Sequence, residues 1–179
     1  MKVPITQLQE GENKFDLSSQ SQSSLCNLMQ KIAKAGYVFR SDLTAHITLT
    51  KLEPDYYLKG TVAYSIEMTC DRCAESFPFA TTHPFEVALA HLKSKTSHPY
   101  EPSDKSKEPD RIFFEGNEID FEPILEEQFY LSMPYHSLCK MDCKGVCQQC
   151  GKNLNREQCG CKNPAQSTPF AQINGFKAR

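Results

Sequence analysis

"YLKGTVAYSIEMTCDRCAESFPFATTHPFEVAL", residues 57–89, alternates apolar and polar side chains on both sides of a Cys-x-x-Cys. On the first flank Leu58, Val62, Tyr64, Ile66 and Met68 fall on one face, interrupted only at Gly60. A period of two places such a set on one side of a β-strand. On the second flank Phe77, Phe79, Phe85, Val87 and Leu89 repeat the pattern. The reading predicts two strands, over 56–69 and 76–91, with Cys70 and Cys73 at the tip of the hairpin between them.

Working outward, "TAHITLTKL" puts Ala45, Ile47 and Leu49 on one face and adds a third strand to an antiparallel meander. Upstream, Leu25, Leu28, Met29 and Ile32 recur at helical spacing between a Ser-rich start and Gly36, which predicts a helix within 18–36. Downstream, residues 93–110 hold three Pro and almost no apolar side chains, the composition of a solvated linker. "RIFFEGNEIDF" reads as a short hairpin turning at Gly116-Asn117, and "EPILEEQFYLSMP" as a helix with Pro123 in its first turn and Pro134 closing it, burying Leu125, Phe129 and Met133. At the end of the chain, Phe170, Ile173 and Phe176 suggest a short turn packing back on the body. The fold class expected is α+β: an antiparallel β-meander body with two or three helices and a small C-terminal cysteine-rich zinc module. Residues 1–92 form the α/β body with the Cys70/Cys73 tip, 93–110 the linker, 111–138 a hairpin and helix completing the body, and 139–179 a zinc-ribbon-like module and tail.

The chain has 179 residues, 39% apolar and 23% charged, enough for one hydrophobic core. No run approaches the ~18 to 20 apolar residues of a membrane span, and "MKVPITQLQEGENKF" has no signal-peptide pattern. The expected location is cytoplasmic, with no membrane partner. Thiols there are kept reduced, so clustered cysteines point to a metal rather than a disulfide framework. Of nine cysteines, Cys26 lies alone in the amphipathic helix and is expected to be a small buried apolar residue. The other eight make two sets of four. Charge is also divided: residues 1–138 carry a net −7 and residues 139–179 a net +5. The basic tail suggests an anionic partner, although four thiolates around a divalent ion leave a net −2 that nearby Lys and Arg also offset.

Cys70-Asp71-Arg72-Cys73 at a hairpin tip lets two thiolates converge on one side, half of a tetrahedral site. A redox pair is expected at a strand-to-helix junction, and no helix pattern starts at Cys73. "CKMDCKGVCQQCGKNLNREQCGC", residues 139–161, has almost nothing apolar. Its ordering costs about 1–2 kcal/mol per residue, against on the order of 10–16 kcal/mol from structural zinc. Zinc is therefore its expected core. Cys147 and Cys150, followed by Gly151, close one site with Cys159 and Cys161, while Cys139 and Cys143 join Cys70 and Cys73 across the chain. A single shared site of Cys70, Cys73, Cys147 and Cys150 stays open, as does one ion or two. No Gly-rich phosphate loop, Gly-x-Ser-x-Gly or Ser–His–Asp context occurs, so neither an enzyme nor a small-molecule substrate is expected. His46, His83 and His91 read as polar sheet residues, and His136 as a minor alternative ligand. Asp110, Glu115, Glu118, Asp120 and Glu122 read as a solvated acidic face.

"CDRCAESF", "EIDFEPILEEQFYLSMP", the cysteine block and the ending "PFAQINGFK", in this order, resemble the YceD family of large ribosomal RNA subunit accumulation proteins. On that resemblance the family's Cys-x-Arg-Cys falls on Cys70, Arg72 and Cys73, its Ile-Asp on Ile119 and Asp120, its helix on Glu126, Leu131 and Pro134, and its Pro-Phe-Ala on Pro169, Phe170 and Ala171. It implies a bacterial factor needed for normal levels of 23S ribosomal RNA, acting in large-subunit assembly without catalysing a reaction. Lys140, Lys144, Lys152, Arg156 and Lys162 become candidate contacts to RNA phosphate, and the acidic body a face for a ribosomal protein or maturation factor. Two other readings stand beside this one: a zinc-stabilised protein-interaction module that never touches RNA, and a thiol redox or zinc sensor.

Overall fold

The computed structural model describes residues 1–52, 55–92 and 110–161. The chain divides into two compact units, one of Met1–Met68 with Phe77–Tyr135 and a second of Thr69–Ser76 with His136–Arg179. The second unit thus takes a short piece from the middle of the chain.

In the first unit the long alternating stretches become strands: β4 (Thr44–Leu52), β5 (Asp55–Thr69) and β6 (Ser76–His91). Ala45, Ile47 and Leu49 of β4 and Leu58, Val62, Tyr64 and Ile66 of β5 are buried on one face, as a period of two requires. β4 and β5 pair antiparallel, with Ala45 opposite Val62 and Leu49 opposite Leu58. Two earlier strands, β1 (Lys2–Pro4) and β2 (Gly11–Ser18), and a third, β3 (Val38–Phe39), complete the N-terminal part. β2 pairs antiparallel with β4, and β3 with β5. None of the three was expected. In "GENKFDLS" only Phe15 and Leu17 alternate with polar residues, too little to mark an edge strand without its partner.

"RIFFEGNEIDF" does not form a hairpin. Its halves are β7 (Asp110–Phe114) and β8 (Glu118–Asp120), which join different sheets. β7 pairs parallel with β6, so the two cannot be joined by a tight turn. β8 pairs antiparallel with β1, Val3 facing Ile119. The result is a mixed sheet of order β2-β4-β5-β6-β7, with β3 paired to β5 off this path, and a two-stranded β1-β8 sheet.

Among the described residues the two α-helices are α1 (Ser23–Lys34) and α2 (Phe121–Leu131). α1 buries Leu25, Leu28 and Ile32. Cys26, expected to be buried, is half-exposed and its sulfur accepts a hydrogen bond from Gln30 Nε2 at 3.6 Å. Asp120 caps α2, its carboxylate accepting from the Glu122 N–H at 3.1 Å. Leu125 and Phe129 are buried, whereas Met133 lies beyond the helix and is only partly covered. Lys31 of α1 reaches Glu126 of α2 at 2.6 Å. Phe129 packs against Tyr64 with ring centroids 4.6 Å apart, and the Tyr64 hydroxyl meets Ser132 Oγ at 2.5 Å. This α+β architecture agrees with the expected class. Of the linker expected at 93–110 only Asp110 is described, and it begins β7 instead; residues 93–109 and the turn at 170–176 lie outside the described residues, as do Lys162, Pro169, Phe170 and Ala171.

Candidate metal centre

Two short turns in the second unit share one backbone design. In the first, the Cys70 N–H donates to Glu75 O at 2.9 Å and the Ala74 N–H to Cys70 O at 2.8 Å. In the second, the Cys147 N–H donates to Lys152 O at 2.8 Å and the Gly151 N–H to Cys147 O at 2.9 Å. The residue after each Cys-x-x-Cys is left-handed, with φ of 58° at Ala74 and 72° at Gly151. Both turns point two sulfurs to the same side.

Each turn meets a second pair. Cys70, Cys73, Cys139 and Cys143 form one set and Cys147, Cys150, Cys159 and Cys161 another; within each, all sulfurs lie within 4.8 Å of one another. Cys70 and Cys143 sulfurs are 3.8 Å apart, and those of Cys73 and Cys139 are 3.7 Å apart. A tetrahedral four-thiolate site with metal–sulfur bonds of about 2.3 Å has edges of about 3.8 Å, so these spacings fit an ion at the centre. Both sets can hold a metal ion. The shared site of Cys70, Cys73, Cys147 and Cys150 is not formed, because the two turns belong to different sets. His136 joins neither; its Nδ1 lies 3.9 Å from Asp71 Oδ2.

The first set is knitted together by backbone contacts. Asp71 N–H donates to Ser137 O at 2.8 Å, and Ser137 N–H returns to Asp71 Oδ2 at 2.7 Å. The Val146 N–H donates to Arg72 O at 3.0 Å and the Arg72 guanidinium to Cys143 O at 3.1 Å. Asn155 was not singled out from sequence, yet its amide donates to Cys143 Sγ at 3.3 Å while its Oδ1 accepts from the Lys144 N–H at 2.9 Å. Its only signal is position, a short polar side chain between two cysteine pairs. Cys70, Cys73 and Cys143 are buried, whereas Cys150 and Cys161 of the second set are exposed.

Ionisation is shared unevenly. The backbone N–H of Cys139 above all, with those of Cys73 and Arg72 and the Cys73 thiol, holds Cys70 down at about 6 against its burial. Burial, together with the Cys143, Cys70 and Cys73 thiols, pushes Cys139 up to about 12. In the second set the N–H groups of Cys150 and Gln149 lower Cys147 to about 6, while the Cys150 thiol, then burial, raises Cys161 to about 12. One thiolate opposes the next, and a central cation would let all four carry charge.

Of the candidate RNA contacts, Lys140, Lys144, Lys152 and Arg156 are all exposed. Lys152 lies 2.9 Å from Glu157 and Arg156 2.7 Å from Glu75, whereas Lys140 and Lys144 make no ion pair among the described residues.

A family model described as "Large ribosomal RNA subunit accumulation protein YceD" matches residues 58–177, which takes in most of β5, all of β6 and every clustered cysteine. The chain belongs to the YceD family. Relatives bearing its name include the chloroplastic "Large ribosomal RNA subunit accumulation protein YCED homolog 1" of Arabidopsis thaliana, 25% identical over 146 residues, covering 67% of this chain and 44% of that protein. The homolog 1 of Zea mays is 26% identical over 145 residues, covering 69% and 50% respectively. An uncharacterized protein of Mycobacterium tuberculosis is 31% identical over 99 residues, covering 55% and 44%. The chain therefore spans about half the length of the YceD relatives it matches. No solved structure matches it. The Ile-Asp that carried the earlier resemblance to the YceD family is Ile119, buried in β8, and Asp120, the cap of α2. Its helix residue Glu126 pairs with Lys31, while Leu131 is exposed. No helix among the described residues is long and apolar enough to cross a membrane.

Proposed function

We propose that this chain is a non-enzymatic, cytoplasmic factor that supports accumulation of 23S ribosomal RNA during large-subunit assembly, with two structural zinc ions organising its basic second unit. The observation that carries the reading is the match of residues 58–177 to a family described by that role, over a region whose eight clustered cysteines form two closed sets. Four thiolates fill the positions around each zinc and leave none open for water or substrate, which favours a structural ion over a catalytic one. Cys70, Cys73, Cys139 and Cys143 hold the first ion and Cys147, Cys150, Cys159 and Cys161 the second. Lys140 and Lys144, exposed and without carboxylate partners among the described residues, are the best placed contacts for RNA phosphate; Lys152, Arg156 and Lys162 support them.

The test is a sedimentation profile of ribosomes from cells lacking the protein, with and without a plasmid copy. A deficit of large subunits and of their RNA, restored by the intact gene and not by Cys143→Ser, is expected. A normal profile in the deletion strain overturns the reading. The exposure of Cys150 and Cys161 favours a second reading, a thiol or zinc sensor built on the second set. Thiol labelling of the zinc-loaded protein separates the two: a sensor exposes a titratable thiol before chelation, and a structural site only after it.

A further inference from the structure

Within the described part of the second unit two large apolar side chains face solvent, Met141 at 89% exposure and Val146 at 41%. Met141 stands at the tip of a tight turn. The Cys143 N–H donates to Lys140 O at 3.1 Å, which makes Met141 and Asp142 the central residues of a four-residue turn. Such positions ordinarily go to Pro, Asn, Asp, Ser or Gly, whose side chains favour the bend. A long thioether there has almost no buried contact of its own.

Two cations bracket it. Lys140 opens the turn and Lys144 follows its last residue; both are exposed, and neither makes an ion pair among the described residues. A turn brings its first and last Cα atoms within about 7 Å and one more residue adds about 3.8 Å, so the two lysines start no more than about 11 Å apart. Asp142 is the one acidic side chain in 139–146. The backbone that follows the turn is held in place: the Lys144 N–H donates to Asn155 Oδ1 at 2.9 Å, the Leu154 N–H to Gly145 O at 2.9 Å and the Val146 N–H to Arg72 O at 3.0 Å. A fixed base limits the ordering cost of binding to the side chains.

The chemistry of the tip selects its occupant. Lysines recognise phosphate in any RNA, but an A-form duplex keeps its base faces stacked and shows hydroxyls and base edges in its minor groove. An unpaired nucleotide exposes an aromatic ring beside its own phosphate, and a thioether packs favourably on such a ring. One apolar side chain between two cations is far too little apolar surface for a stable protein interface, which favours RNA. We propose that the 140–144 turn binds unpaired nucleotides of RNA, with Met141 packing on a base and Lys140 and Lys144 on the flanking phosphates. The proposal rests on the reading of the second unit as the RNA-facing part and adds which RNA it takes, bulged or single-stranded segments in preference to continuous duplex.

The test uses the full zinc-loaded chain and two fluorescein-labelled RNAs followed by anisotropy: a duplex carrying a three-adenosine bulge, and the same duplex without it. The intact chain is expected to bind the bulged RNA about fivefold tighter. Met141→Gln is expected to reduce that preference to less than about twofold while leaving duplex affinity and its salt slope unchanged, because no charge is altered. Met141→Leu is expected to keep most of the preference. Since Met141 is exposed, unchanged thermal unfolding and zinc content of both variants show that the fold is intact. Equal affinity of the intact chain for the two RNAs, or a preference that survives Met141→Gln, overturns this proposal alone. Binding of neither RNA overturns the RNA reading with it and leaves the tip to a protein partner.

Discussion

Gly145 has a φ of +74°, and a Cβ built on it meets Arg72 O at 2.9 Å, so this position combines a left-handed backbone with a close approach of two chain segments. Gly145→Ala is expected to cost about 1–3 kcal/mol in urea unfolding of the metal-loaded protein, because the Val146 N–H to Arg72 O bond beside it must shift. Ala74 takes the opposite role. It stands at φ 58° where the second turn has Gly151, so Ala74→Gly relieves about 1 kcal/mol of left-handed strain and returns part as chain flexibility; a net gain of about 0.5 kcal/mol is expected. The equivalence of Ala74 and Gly151 was not legible in the sequence, since alanine gives no hint of a positive φ. Thiol ionisation adds a pH test on the metal-free protein. Cys70 and Cys147 fall to about 6 from an ordinary 9.0, so their contribution to stability is complete above 9.0 and is lost as pH falls through about 6. At neutral pH iodoacetamide is expected to modify the half-exposed Cys147 before Cys161, which mass spectrometry of the digested protein checks.

At the scale of elements, the strongly patterned stretches resolved as read: β4 spans Thr44–Leu52, and β5 and β6 flank the first cysteine turn. Alternation identifies a strand and its buried face but not its partner. That is why residues 111–121, patterned like a hairpin, divide between β6 on one side and β1 on the other. Helix α2 depends on Asp120 as its cap, and Asp120→Ala is expected to lower stability by about 1 kcal/mol while Asp120→Asn costs little, measured by thermal unfolding. The two sulfur sets differ in shelter. Cys70, Cys73 and Cys143 are at most 4% exposed, whereas Cys150 and Cys161 face solvent. With zinc loaded, a competing chelator is expected to draw out the metal in two phases, the second set first, read by a colorimetric zinc dye together with the labelling pattern of the freed thiols.

For the whole molecule, the electrostatic division between an acidic body and a basic C-terminal stretch sets the expected RNA behaviour. If Lys140 and Lys144 contact phosphate, neutralising both by glutamine lowers the slope of log affinity against log salt by about 1.4–1.8, roughly 0.7–0.9 per contact. Lys152→Gln is expected to change it less, because Glu157 at 2.9 Å already offsets that charge. The sequence by itself determined the local facts: which stretches alternate, in which stretches the two helices lie, and that a polar segment with six cysteines can hold a metal ion. These are legible because side-chain period and sulfur chemistry are properties of neighbouring residues. Only the tertiary structure decided that β7 lies parallel to β6, that β8 pairs with β1, and that Asn155 reaches Cys143. Such contacts join residues far apart in the chain, and their geometry depends on the simultaneous packing of elements whose patterns are each compatible with several partners.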